Sequence, residues 1–155
     1  MTGRKLVFAE LMSEIQTIVK KSSERDEALG AICGVLFDGV AWYDWIGFYL
    51  VAGEGRLVLG PYSGESTEHT EIGFGEGICG QAAEREQTFL IQDISKETNY
   101  LSCSPSVKSE IVIPIFRGGK IVGELDIDSH TLAPFTDDDS TFLQGVADIA
   151  AEILG

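Results

Sequence analysis

The chain has 155 residues, and 25 Asp plus Glu against 11 Lys plus Arg leave a formal net charge of -14. That length suits a single domain over residues 1–155, able to bury roughly 70% of its unfolded surface without staples. An apolar fraction of 44% with 9% aromatics excludes the disordered class, and the acidity argues against nucleic acid and anionic membrane surfaces as partners, leaving small molecules and proteins.

Residues 1–21 mix Arg4, Lys5, Glu10 and Glu14 into their apolar positions, unlike a signal-peptide core, and no apolar run approaches a membrane span, so a cytoplasmic location is expected. Leu6, Val7, Leu11, Ile15, Ile18 and Val19 recur at helical spacing, and Lys20 and Lys21 suit the C-terminal end of the dipole. Ser22 and Ser23 are expected to cap a second helix with the stripe Ala28, Leu29, Ile32, Cys33, Leu36 and Phe37, stopping near Gly39. Within that stripe Cys33 reads as a small core hydrophobe. Trp45 to Val51 and Arg56 to Pro61 are β-rich runs joined by Ala52-Gly53-Glu54-Gly55, a hairpin pattern.

A glycine-flanked turn then leads into a short helix from Gly77 to Glu86, followed by a strand from Thr88 to Gln92. Gly73-Phe74-Gly75-Glu76-Gly77 lacks the Lys-Ser/Thr ending and βαβ setting of a phosphate loop. Asp93 to Lys108 is polar and aperiodic, and long loops of this kind often carry sites.

Ser109 to Phe116 and Lys120 to Ser129 form a second hairpin around Arg117-Gly118-Gly119. Its apolar faces, Ile111, Ile113 and Ile115 against Ile121, Leu125 and Ile127, align if the loop has three residues. That register gathers Glu110, Asp126 and Asp128 on the opposite face, with Glu124 further along it. Thr136 caps a last helix whose first-turn acids, Asp137 to Asp139, complement the dipole and whose stripe runs from Phe142 to Leu154. The order predicts an α+β fold: a central antiparallel sheet with the terminal helices packed on one face, and the short helix and long loop over a ligand pocket on the other.

Three features converge on that second face: the carboxylates, Cys103 in the polar loop and Cys79 near the start of the short helix. The acids are either a solvated sheet face or a pocket, and Val112, Pro114 and Phe116 beside Glu110 favour the pocket. Gathered carboxylates repel one another, which keeps a neutral acid available and offers a seat for an ammonium group. The helix dipole favours a Cys79 thiolate if that residue escapes apolar burial. Cys33, Cys79 and Cys103 form neither a CxxC pair nor, with His69 and His130, a zinc spacing, so no metal is expected. Two cysteines beside proton-donating acids describe a thiol reductase.

Gly75-Glu76-Gly77-Ile78-Cys79-Gly80, Ser109-Glu110-Ile111-Val112-Ile113-Pro114-Ile115, Leu125-Asp126-Ile127-Asp128-Ser129 and Phe135-Thr136-Asp137-Asp138-Asp139, with the strand Trp45-Ile46-Gly47-Phe48-Tyr49, resemble the free methionine-R-sulfoxide reductases, which are built on a single GAF domain. The resemblance runs from about Trp42 to the C-terminus and implies a GAF-like fold. It implies reduction of free L-methionine-R-sulfoxide through a cysteine sulfenic acid and a disulfide, with no bound cofactor and with thioredoxin, and NADPH behind it, as reductant. Carried over, Cys103 matches the nucleophile and Cys79 the other motif cysteine. Glu110, Asp126 and Asp128 match the substrate-holding carboxylates, and Trp45 an aromatic position beside the substrate methyl. His69 stands where many members have a third, resolving cysteine, so either Cys79 resolves Cys103, or an external thiol does, or the domain only binds. The alternatives are a non-catalytic ligand-sensing GAF module and an interaction protein whose terminal helices form a homodimer face.

Overall fold

The computed structural model describes residues 3–101 and 105–154. Helix α1 (Gly3–Lys21) buries Phe8, Leu11 and Ile15, the spacing of one helical face, and ends on Lys20 and Lys21. Helix α2 (Arg25–Gly39) buries Ala28, Leu29, Ile32, Cys33 and Leu36. Its cap is Glu24, not Ser22 or Ser23: the Glu24 carboxylate accepts from the amides of Asp26 (3.1 Å) and Glu27 (2.7 Å). An ionised acceptor at the positive helix end replaces the expected hydroxyls.

Six strands follow: β1 (Trp45–Val51), β2 (Arg56–Ser63), β3 (Glu71–Gly73), β4 (Phe89–Ile91), β5 (Ser109–Arg117) and β6 (Lys120–Ser129). They form one antiparallel sheet in the order β3-β2-β1-β6-β5-β4. The sequence reading has no β3, whose three residues are too few to show a period. It also ends β2 at Pro61, two residues short of Ser63. The β1–β2 register shifts between Gly47↔Tyr62 and Tyr49↔Leu59, so Gly60 and Pro61 oppose Phe48 in a bulge, where a strand tolerates proline. Helix α3 (Gly77–Arg85) lies between β3 and β4, a 3-10 turn at Ile94–Lys96 follows β4, and helix α4 (Asp137–Ile153) closes the fold.

The β5–β6 loop corrects the predicted register in an instructive way. Arg117 pairs with Lys120, so the loop has two residues, Gly118 and Gly119, both at positive φ (60° and 78°). Such a turn matches strand twist and needs residues free of Cβ strain. A bulge between Ile115 and Phe116 then opposes Ile115 to Gly123, and the apolar faces align with Ile111 on Ile127 and Ile113 on Leu125. The expected faces of Ile111, Ile113, Leu125 and Ile127 are therefore reached by a two-residue turn plus a bulge instead of a three-residue loop, whereas Ile121, expected beside Leu125 and Ile127, packs against the core of the opposite face.

The two faces hold separate cores, as predicted. One packs α1, α2 and α4 on Ile46, Phe48, Ile111, Ile113, Leu125 and Ile127. The other packs Ile78, Cys79, Ala82 and Ala83 of α3 on Trp45, Tyr49, Leu57, Ile72 and Val112. Of the three first-turn acids of α4, Asp139 does more than complement a dipole. It is fully buried, ion-paired to Arg4 at 2.7 Å, and accepts from Trp42 Nε1 (2.9 Å), Tyr43 Oη (2.7 Å) and the Thr136 amide (3.0 Å). These bonds join α1, α4 and the α2–β1 connection; burial raises the Asp139 carboxyl, but the hydrogen bonds from the amide and hydroxyl of Thr136, from Trp42 and from Tyr43 outweigh it and hold the group below its ordinary range. No described helix is long and apolar enough to cross a membrane.

Candidate functional site

The second sheet face is a small lattice. Cross-strand pairing sets Trp45, Asp128 and Glu110 in one row, Gly47, Asp126 and Val112 in the next, and Tyr49, Glu124 and Pro114 in the third. Period two on β6 explains why the acids at 124, 126 and 128 share this face while Leu125 and Ile127 enter the other core. Glycine in the middle row makes room for an aromatic ring: a Cβ on Gly47 would lie 2.3 Å from Cη2 of Trp45. The Trp45 indole is held there, 3% exposed, by Nε1 donating to the Glu65 carbonyl (2.9 Å) and by stacking on Tyr62 at 5.5 Å.

Helix α3 closes the face from above. Its entry needs glycines: Gly75 and Gly77 have φ of 92° and 62°, and a Cβ on Gly80 would meet the Gly73 carbonyl at 2.4 Å. Asn99, from the connection after the 3-10 turn, fastens this turn by accepting from the Gly77 amide (2.8 Å) and donating to the Gly75 carbonyl (2.7 Å). Cys79 thereby faces the sheet, with Sγ 3.8 Å from Glu110 Oε2. A thiol sulfur and carboxylate oxygens of Cys79, Glu110 and Asp126 all lie within 4.8 Å of one another. Among the described residues, these enclose a cavity of about 10 Å³ also lined by Tyr49, His69 and Leu101, roughly the room of one water molecule.

Glu110, Glu124, Asp126 and Asp128 are each at most 4% exposed, and no Lys or Arg is among the described residues lining the cavity. Two full charges about 5 Å apart at an effective dielectric of about 20 repel by about 3 kcal/mol, so the four acids do not all ionise. Burial pushes the Asp126 carboxyl up, against hydrogen bonds from Glu110, Cys79 and Asp128 that favour its anion. Glu124 has no hydrogen-bond partner on either oxygen, and burial, reinforced by Asp126, pushes its carboxyl well above the ordinary range. Burial therefore favours its neutral form.

Of the predicted residues, the structure brings together Cys79, Glu110, Asp126, Asp128 and Trp45 on one face. Cys103 lies outside the described residues. The condition attached to the Cys79 thiolate is not met: Cys79 is 5% exposed, and burial followed by the Asp126 and Glu110 charges pushes its thiol well up. Cys33 is wholly buried with its thiol pushed up to about 12, in keeping with a core role. Strand parity puts Glu124 on this face but does not show its burial, and no local pattern marks Tyr49 and His69 as walls of the cavity. For Glu124 a signal was present, since it continues the alternation of Asp126 and Asp128.

An antiparallel sheet backed by helices on one face and closed over acids on the other is the architecture of a GAF domain, and the GAF domain family matches residues 22–154. GAF domain-containing protein A of Dictyostelium discoideum is 34% identical over 136 residues, covering 88% of this chain and 85% of that protein. Free methionine-R-sulfoxide reductase of Escherichia coli is 31% identical over 146 residues, covering 94% of this chain and 86% of that protein. The crystal structure of free methionine-R-sulfoxide reductase from Neisseria meningitidis in complex with its substrate superposes with a TM-score of 0.92 at 32% identity, covering 99% of this chain and 92% of that one. The chain belongs to the GAF domain family and, within it, to the free methionine-R-sulfoxide reductases.

Proposed function

We propose that the protein reduces free L-methionine-R-sulfoxide to methionine. The observation that carries this reading is the buried cluster of Glu110, Asp126 and Asp128 beside Cys79, with no Lys or Arg among the described residues that line its cavity. Such a cluster suits a substrate bearing an ammonium group, and its surplus of protons suits a sulfoxide oxygen that must be protonated as its bond to the substrate sulfur breaks. Trp45, beside Asp128 and folded over Gly47, offers an apolar wall to the substrate methyl.

Cys103 acts as the nucleophile: its thiolate attacks the sulfoxide sulfur, the S–O oxygen passes to the cysteine as sulfenic acid, and methionine departs. Cys79 then condenses with the sulfenic acid, releasing water and forming a disulfide that a dithiol reductant of the thioredoxin kind reopens. The family resemblance of the motif around Cys79, and the likeness to relatives bearing this activity, support those assignments. A cavity of about 10 Å³ is far below the roughly 300 Å³ of a small-molecule site, so substrate entry requires the wall to move. Leu101, packed over Gly77, is the described side chain best placed to give way.

The test is thioredoxin-coupled NADPH oxidation with the separate epimers. Turnover is expected with the free R-sulfoxide and little with the S epimer, and no turnover of either by freshly reduced protein refutes the reading. Cys103→Ser should abolish reduction, whereas Cys79→Ser should complete one stoichiometric turnover and stall; the opposite pattern exchanges the two roles.

A further inference from the structure

The cavity wall also carries the donors of a metal site. Cys79 Sγ and one oxygen each from Glu110 and Asp126 lie mutually within 4.8 Å. Ligands about 2.0–2.3 Å from a tetrahedral zinc ion sit about 3.5 Å from one another, so a contraction of at most about 1.3 Å would bring this set onto an ion. A second observation points the same way. Asp126 is 2% exposed and its Oδ1 has no hydrogen-bond partner, on the wall of a cavity with room for a single small species.

The donor chemistry selects the ion. Calcium takes six to eight oxygen ligands and magnesium keeps its waters in an octahedron, whereas a set of three donors that includes a thiolate suits zinc and its tetrahedral analogues. A divalent ion would also neutralise a crowd of buried acids that has no Lys or Arg among its described wall residues.

We propose that Cys79, Glu110 and Asp126 form a binding site for one divalent transition-metal ion of the zinc class, with a solvent molecule completing the tetrahedron. Binding forms a metal–thiolate bond and releases the Cys79 proton to solvent, with no change of oxidation state. Because the same acids are assigned to the substrate ammonium, metal and substrate exclude one another. That exclusion rests on the reductase reading; the metal binding does not.

The test uses the full-length reduced protein, titrated with cobalt(II) under argon and followed by absorption. One equivalent should produce a thiolate-to-cobalt charge-transfer band in the near ultraviolet together with tetrahedral visible bands, and zinc should bleach both. Cys79→Ser should lose the charge-transfer band, Cys103→Ser should keep it, and Glu110→Gln and Asp126→Asn should each weaken binding about tenfold or more. Far-ultraviolet circular dichroism of each variant establishes folding, and the two carboxyl variants read the site even if Cys79→Ser fails to fold. Absence of the band in the wild type, its survival in Cys79→Ser, or its loss in Cys103→Ser overturns the site.

Discussion

Glu124 offers a direct measurement of the proton held on the buried face. Its carboxyl lies between Tyr49 and Pro114 without a hydrogen-bond partner, and its folded pKa is raised well above the ordinary 4.5. The fold therefore holds a proton that the unfolded chain has already lost above about pH 4.5, and stability contributed by Glu124 is complete below that pH and disappears as pH rises through its folded pKa. For each pH unit over which Glu124 stays protonated only in the fold, stability falls by about 1.4 kcal/mol. Asp126 acts in the same direction, from its ordinary 3.8 upward, whereas Asp139, lowered by its partners, loses its contribution only as pH falls below its ordinary 3.8. Urea denaturation at pH 5, 6 and 7 should thus show the wild type losing stability with pH, and Glu124→Gln losing about one proton's slope less, with the Asp126 share intact. The amide still buries a polar group, so the variant's absolute stability at pH 5 carries a separate cost of about 1–3 kcal/mol, but that cost does not vary with pH. Parallel lines for wild type and variant would show that Glu124 is already ionised in the fold, and the argument from its burial would be wrong.

Asp139→Ala leaves Arg4, the Trp42 and Tyr43 donors and the Thr136 amide without their shared acceptor, and should lower stability by about 3 kcal/mol in urea at pH 7 with an unchanged m value; a loss under 1 kcal/mol would mean solvent replaces the carboxylate. Cys33 and Cys79 should resist iodoacetamide in the native protein at pH 8 and react once urea is added, as read by peptide mass spectrometry, because both thiols are buried with their pKa pushed up. Alkylation of native Cys79 at the rate of a free thiol would show that the face opens far more readily than its packing implies.

Long periodic segments were the legible part of the fold. Helix α1, with apolar residues at three- and four-residue spacing, and β6, with strict alternation from Glu124 to Asp128, place their faces without help from the rest of the chain. Three-residue elements such as β3 have no period to read and exist because Arg56 to Val58 supply an open edge. The second hairpin shows the middle case. Burial demanded that Ile111 and Ile127 share a face, and that demand was visible; whether a longer loop or a bulge would satisfy it depended on the backbone of Gly118 and Gly119, which the apolar pattern does not encode. Caps fell between: the carboxylate of Glu24 outcompeted two neighbouring hydroxyls that carry the better statistical preference.

For the site, strand parity was enough to gather Glu110, Asp126 and Asp128, but it said nothing about what covers them. Cover decides the chemistry. Under solvent the same acids would ionise and repel weakly; beneath α3, with Cys79 against Glu110 and no cation in the described wall, they retain protons and leave an unpartnered oxygen on Asp126. That cover depends on close approach at glycines, since Gly80 meets the Gly73 carbonyl and Gly47 carries the Trp45 ring, contacts made between residues that no local spacing links. The dipole argument for a Cys79 thiolate failed at the same point: a favourable helix end was visible in the chain, while the larger opposing effect, burial against neighbouring carboxylates, arises only when α3 docks. A buried face of acids stripped of counter-charge is therefore the feature to which both the ammonium-bearing substrate and the divalent ion are answers, and the two are told apart by what each does with the Cys79 proton. The metal must expel it to bind, whereas the substrate leaves it in place until the sulfenic acid forms, so ultraviolet absorption of a Cys79 thiolate should accompany the metal and be absent with methionine sulfoxide in Cys103→Ser.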